Sequence, residues 1–227
     1  DRAGVDGARL LDERNDDVGP AAGREVRRQL PVGLRGRVVI LFLAESQGRH
    51  RIHGILTTEA CQYVFVDTPG FQTTLRNALN RLMNRSVTQA LADVVNRTIA
   101  RGGKVVIPSF AVGRAQALLH ALACLKAKGA VPPAVPVYLD SPMATDVTAL
   151  YVRLRRQHRL SAEQCAAIGR SAHLVTTPAQ SRALDLQRLP MVIIAASGMA
   201  TGGRVLHHLK VRVPDERNAV VFPGFQV

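Results

Sequence analysis

The sequence predicts an α/β fold, a mostly parallel open sheet flanked by helices. Across residues 104–222, short apolar runs alternate with longer segments whose Leu, Val and Ile recur at helical spacing. Strands separated by helices require crossover connections, and those connections make neighbouring strands parallel. The material of the core is also set by composition. Apolar residues make up 47% of the 227, aromatic residues 4%, and Trp is absent, so sheet and helices must pack through Val, Leu, Ile and Ala. No internal repeat is visible, and the length suits one domain, or one domain with a smaller piece.

Taken in order, residues 1–36 are rich in Asp, Arg and Gly, and Asp12-Glu13-Arg14-Asn15-Asp16-Asp17 within them reads as solvated chain with little fixed structure. Arg37–Ala44 and Gln62–Thr68 are apolar runs of strand length, the second entering Pro69-Gly70. From Leu75 to about Ala100 a long helix is expected. Leu75, Leu79, Leu82, Met83, Leu91, Val94, Val95 and Ile99 share one stripe, and most of the arginines lie outside it. Gly102-Gly103 is placed to cap its end.

Lys104–Ile107 is the next strand, stopped by Pro108, and Gly113-Arg114 opens a helix to about Lys128 with Leu118, Leu119, Leu122 and Leu125 on its buried face. His120 on that helix is read as lacking a metal-spaced partner. Pro132, Pro133 and Pro136 form a loop before the strand Val137–Leu139, and Asp140-Ser141-Pro142 is placed to cap a helix packing through Val147, Leu150, Tyr151 and Leu154. Asp140 is assigned to that cap in preference to a metal ligand or a general base. That helix ends in the basic run Arg153, Arg155, Arg156, His158 and Arg159. Ser161 to Gln164 has capping-box spacing, Leu174-Val175 is a brief strand, and Thr177-Pro178 starts another helix.

Val192–Ala196 is a buried strand after Pro190. It runs into Ser197-Gly198-Met199-Ala200-Thr201-Gly202-Gly203-Arg204 and then a helix with Leu206 and Leu209. Glycines admit a ligand close to backbone amides, and a helix N-terminus favours anions. A phosphate-binding corner and a plain tight turn both satisfy that pattern. In a parallel sheet, ligands collect beyond the carboxyl ends of the strands, so Ser109–Arg114, Asp140-Ser141, Ser197–Arg204 and Gly224-Phe225-Gln226 are expected on one rim.

A formal charge of +13 attracts phosphate backbones without conferring sequence specificity. Cys61, Cys124 and Cys165 are widely spaced, which excludes a disulfide framework or a zinc knuckle and fits reduced thiols in a cytoplasmic protein. No apolar stretch reaches the roughly 20 residues that span a bilayer. The sequence opening Asp1-Arg2 lacks the apolar core of a signal peptide.

Four ordered blocks resemble a known family. Ser197-Gly198-Met199 with Gly202-Gly203-Arg204, Gly102–Gln116, Val137–Ala144 and Asn218–Gln226 together resemble the β-CASP domain of metallo-β-lactamase-type RNA-processing nucleases, over about residues 90–227. The resemblance implies a rim that holds a single RNA strand. Arg114 and Arg204 would meet phosphates, while Ser141, Ser197, Gly198, Gly202 and Gly203 would form the hydrogen-bonding corner. It also implies zinc in the complete family member, bound by an H-x-H-x-D-H block on a metallo-β-lactamase domain. That block does not occur among His50, His53, His120, His158, His173, His207 and His208. Neighbouring helical residues such as His207 and His208 diverge by about 100° and chelate one ion poorly. No catalytic or metal residue is therefore assigned in this chain. The catalytic domain is expected in cis or in trans, and residues 90–227 are read as truncated at their C-terminal end. The oligomeric state is left open.

Residues 49–89, with Arg49–Ile55, Val64–Thr73 and Asn77–Arg81, resemble the switch region of Era-like GTPases. The partial GTPase-like segment is drawn as 37–89. Neither G-x-x-x-x-G-K-[ST] nor Asn-Lys-x-Asp occurs in the chain, so Asp67 has no nucleotide to serve. Alternatives to RNA binding are a GTP-regulated ribosome-assembly fragment and a composite chain without selected function.

Overall fold

The computed structural model describes the backbone of residues 36–44, 52–57, 61–69, 78–157 and 160–223, and side chains from residue 88 within those spans. The expectation for residues 1–36 lies outside them apart from Gly36, as do Gly224-Phe225-Gln226, His158, Arg159 and the side chains of Asp67, Leu75, Leu79, Leu82 and Met83.

The elements are β1 (Gly36–Ala44), β2 (Ile52–Thr57), β3 (Cys61–Pro69), α1 (Ala78–Ala100), β4 (Lys104–Pro108), α2 (Arg114–Ala127), β5 (Val137–Asp140) and α3 (Pro142–Arg153). After a short 3-10 turn at Arg155–Gln157 come α4 (Ala162–Arg170), β6 (His173–Val175), α5 (Pro178–Leu186), β7 (Met191–Ala195), α6 (Arg204–Arg212) and β8 (Ala219–Pro223). All eight described strands form one sheet in the order β2-β3-β1-β8-β4-β7-β5-β6. The pairings are parallel except that of β2 with β3, so the expected parallel α/β architecture is present with one antiparallel edge strand. β1 lies between β3 and β8, and the sheet is continuous across the two stretches that resemble different families.

Alternation along the strands builds the three layers. Val105, Ile107, Val137, Leu139, Val192, Ile194, Ala219 and Val221 face one way and pack on Leu91, Val95, Leu119 and Leu122 of α1 and α2, with Ile168 of α4. Val106, Met191, Ile193, Ala195 and Val220 face the other way, onto Leu184 of α5 and Val205 and Leu209 of α6. A strand buried on both faces has no polar side to show, so β7 reads as an unbroken apolar run.

Short-range signals place the helix ends. The amides of Gly102 and Gly103 donate to Ile99 and Thr98 carbonyls at 2.8 and 2.9 Å, ending α1 as expected. Gly103 also admits a close crossing, since a Cβ there would stand 1.9 Å from the Arg217 carbonyl oxygen. Ser161 with Gln164 and Thr177 with Gln180 form reciprocal capping boxes. The sequence reading of α3 is corrected. Its buried residues are Ala144 and Thr148, while Val147, Tyr151 and Leu154 are half-buried and Leu150 is exposed. The buried Gln116 of α2 explains the change, because its Nε2 donates to the Ala144 carbonyl and to Thr148 Oγ1.

Candidate nucleic-acid interface

Because β4, β7, β5 and β6 run parallel, their carboxyl ends share one edge, and the loops that follow form a rim there. The Ser109 amide donates to the Ala195 carbonyl at 2.9 Å, tying the exit of β4 to that of β7. The chain then turns through residues 196–203. Ala200 donates to the Ser197 carbonyl at 3.2 Å, and Val205, in the first turn of α6, donates to the Ala196 carbonyl at 3.1 Å. Gly203 has φ +73°, and a Cβ on it would stand 2.8 Å from the Ala196 oxygen. Its glycine is therefore required by the turn itself. Gly202 has open space where its Cβ would be, so packing does not require a glycine there.

Beneath this corner sits Asp140 at the end of β5, with no exposed surface. Arg204 Nη1 donates to its Oδ1 at 2.6 Å, His208 Nε2 stands 2.6 Å from its Oδ2, and the Ser181 hydroxyl donates to Oδ2. Burial alone would raise the Asp140 carboxyl. The hydrogen bonds from His208, Ser181 and Arg204 outweigh it and hold the group below the ordinary carboxylate value. Arg204 also donates from Nη1 to the Val175 carbonyl at 2.9 Å and from Nη2 to the Thr176 carbonyl at 2.6 Å. One carboxylate thus joins β5, α5 and α6, and through Arg204 the end of β6. Asp185 forms a second centre on α5, with His207 Nε2 at 2.6 Å and Arg212 Nη1 at 2.9 Å.

This geometry corrects the sequence reading in four places. The N-cap of α3 is Ser141, whose hydroxyl accepts from the Ala144 amide at 3.1 Å, and Asp140 takes no part in it. The buried stripe of α6 is Val205, His208, Leu209 and Arg212, with Leu206 only half-buried. Arg204 turns inward to Asp140 with its side chain 19% exposed. His120 does have a partner one turn on, for Cys124 Sγ lies 3.7 Å from its Nε2.

Among the expected contact residues, Arg114, Ser141, Ser197, Gly202, Gly203 and Arg204 all follow the carboxyl ends of β4, β5 and β7, and Gly198 is buried. Arg114 is half-buried, burial lowers its guanidinium below the ordinary value, and its side chain has no hydrogen bond or ion pair among the described residues. Ser197 is half-buried and Gly203 is exposed. Sequence reasoning missed His208, Ser181, Asp185 and Arg212. A signal was present: His208 and Arg212 occupy the same helical stripe as Val205 and Leu209, and polar groups on a buried stripe require buried partners.

Zinc does not fit these residues. Among the described residues, no three His, Cys, Asp or Glu side chains gather as a metal site. His207 stands 2.6 Å from Asp185 and His208 2.6 Å from Asp140, with Asp185 also 4.0 Å from His208 Nδ1.

The architecture is that of a three-layer, mostly parallel α/β domain in which the carboxyl ends of the parallel strands share one edge. Residues 115–227 match the Beta-Casp domain family, and this part of the chain belongs to it. The match lies within the stretch that the four motifs delimit. The chain is 40% identical over 148 residues to Ribonuclease TTHA0252 of Thermus thermophilus, covering 63% of this chain and 34% of that protein. It is 32% identical over 143 residues to Transcription termination factor FttA of Pyrococcus abyssi, covering 60% of this chain and 22% of that protein. A separate stretch of 75 residues is 74% identical to GTPase Era of Bordetella pertussis, covering 33% of this chain and 25% of that protein. The chain therefore spans about a third or less of each of these relatives.

Asp140→Asn removes the charge that Arg204 and His208 face. Breaking such a buried pair is expected to destabilise the domain by about 3 kcal/mol in urea denaturation at neutral pH. The pH dependence follows from the lowered carboxyl. Its stabilisation is present above the ordinary Asp value of about 4 and is lost as pH falls through the lowered value. Wild-type stability should fall on acidification below about pH 4, and the variant should lose less over that range. Equal acid sensitivity of the two proteins would count against the network.

Proposed function

We propose that this chain binds single-stranded RNA along the carboxyl edge of its sheet, as the substrate-holding module of a metallo-β-lactamase-type ribonuclease. The carrying observation is Arg114, a cation after the carboxyl end of β4 with no protein acceptor among the described residues, at the same edge of the sheet as a glycine corner that has open space at Gly202. Arg114, Ser197 and the amides of Gly202 and Gly203 make the contacts. Ser141, Gly198 and Arg204 shape the surface that presents them. The Beta-Casp match and a relative named as a ribonuclease support RNA over other polyanions. The net charge of +13 supplies attraction that is independent of sequence. The hydrolytic centre would belong to a metallo-β-lactamase domain in cis or in trans, and zinc held there would supply the Lewis-acid chemistry that this chain's residues do not. The setting is cytoplasmic, and no described helix is long and apolar enough to cross a membrane.

The Era-like stretch supports a second reading, a GTP-regulated ribosome-assembly factor. It is the weaker one, because the sequence holds no phosphate loop and no guanine-reading block. Calorimetric titration of the chain with GTP and magnesium should give no heat of binding. A saturable heat would favour this reading instead.

For the RNA reading, Arg114→Ala should weaken binding of single-stranded oligonucleotides about fivefold to tenfold, alike for all sequences. It should also flatten the salt dependence by about 0.7 in log–log slope. The exposed Arg155 and Arg156 serve as the control, and their double alanine variant should change affinity less than about twofold at 0.15 M salt, roughly where the screening length is 8 Å. The same RNA should stay intact when zinc is added. Equal losses in the two variants would mean diffuse attraction, and zinc-dependent cleavage would mean that a metal site is present in this chain.

A further inference from the structure

The turn from β4 into α2 carries an unusual pair of side chains. Phe110 is 42% exposed and Val112 is 64% exposed, although they flank Ala111, which packs against the core. The turn is tied down on both sides. The Ala115 amide donates to the Phe110 carbonyl at 3.2 Å, the Arg114 amide donates to the Val112 carbonyl at 2.9 Å, and Gln116 Nε2 donates to the Ala111 carbonyl at 3.1 Å. The same Gln116 amide also donates to the Ala144 carbonyl at 3.3 Å. The start of α3 therefore adjoins this turn, and there Met143 is 63% exposed. A hydrogen-bonded backbone thus holds an aromatic ring and a Val in solvent in the same turn as Arg114, which has no partner among the described residues, with the exposed thioether of Met143 on the adjoining helix.

An aromatic face exposed beside a cation is suited to an unpaired base whose phosphate the cation meets. A duplex buries its base faces in its own stack and gives the ring nothing to cover. Holding the ring on an anchored turn also lowers the ordering cost of binding. We propose that Phe110 is the platform on which one unpaired base of the RNA stacks, with Val112 and Met143 as its apolar border and Arg114 on the adjoining phosphate. The assignment rests on the RNA reading and makes it more specific, because it selects single strands through their bases as well as their charge.

The test is fluorescence anisotropy with the full chain and three probes of about twelve nucleotides: oligouridylate, an abasic oligonucleotide of the same length, and an RNA duplex. Phe110→Ala should weaken oligouridylate binding about tenfold and leave the abasic and duplex probes unchanged. Phe110→Tyr should restore the affinity, whereas Phe110→Leu, which keeps an apolar surface without the π-face, should not. Matching circular dichroism and urea midpoints show that each variant is folded. An equal loss on all three probes, or full rescue by Leu, would overturn the platform. So would unchanged oligouridylate binding in Phe110→Ala alongside a loss in Arg114→Ala, and that result would leave the RNA reading standing. If the wild-type chain binds none of the probes, both readings fail. Sedimentation that shows wild type dimeric and Phe110→Ala monomeric would assign the patch to a protein contact instead.

Discussion

The buried Asp140 carboxylate is the constraint on which the rim depends. A charge with no exposed surface is tolerated only when it is paired and hydrogen-bonded, and here the partners come from two separate helices. Arg204 and His208 approach from α6, and Ser181 from α5. Satisfying that one group fixes where α6 begins, and so fixes where the glycine corner ends. Arg204 carries the constraint outward, since it also donates to the carbonyls of Val175 and Thr176 at the exit of β6.

The corner's shape follows from this anchoring together with one backbone requirement. Gly203 is needed because φ is +73° and the Ala196 oxygen leaves no room for a Cβ, whereas Gly202 borders open space. Two neighbouring glycines in one motif thus have different reasons to be glycine. On the other side of the sheet order, Gln116 performs a comparable service, joining the Ala111 turn to the start of α3. The rim is therefore held at both ends by buried polar groups, and the half-buried Arg114 and the exposed Phe110 are carried on hydrogen-bonded backbone.

Much of the fold was legible because its signals are local. The runs Val105–Ile107 and Val192–Ala195 are buried on both faces, so their uninterrupted apolarity marked parallel strands. Gly102-Gly103, Ser161 with Gln164 and Thr177 with Gln180 marked helix ends through bonds only a few residues long. The site was legible only in part, because its organising contacts are long-range. Asp140 lies 41 residues from Ser181 and 68 from His208, and no local pattern states that pairing. Arg204 was read as a phosphate contact since a basic residue after a glycine turn has that meaning locally. The α3 stripe went wrong for a related reason, as a Thr was buried in place of Leu150 by an amide on another helix.

The sheet also bears on the two resemblances. β1 is inserted beside β8 and pairs with it from Arg37 to Leu41, so backbone from the N-terminal side completes hydrogen bonding along the side of β8 that does not face β4. The central claim remains the location of the nucleic-acid surface. Amide hydrogen exchange with and without single-stranded RNA tests it directly, because it reads every backbone position in the intact chain. The account predicts slowed exchange concentrated in residues 109–114 and 197–204. Slowing confined to residues 153–157, or spread without focus over the surface, would contradict it.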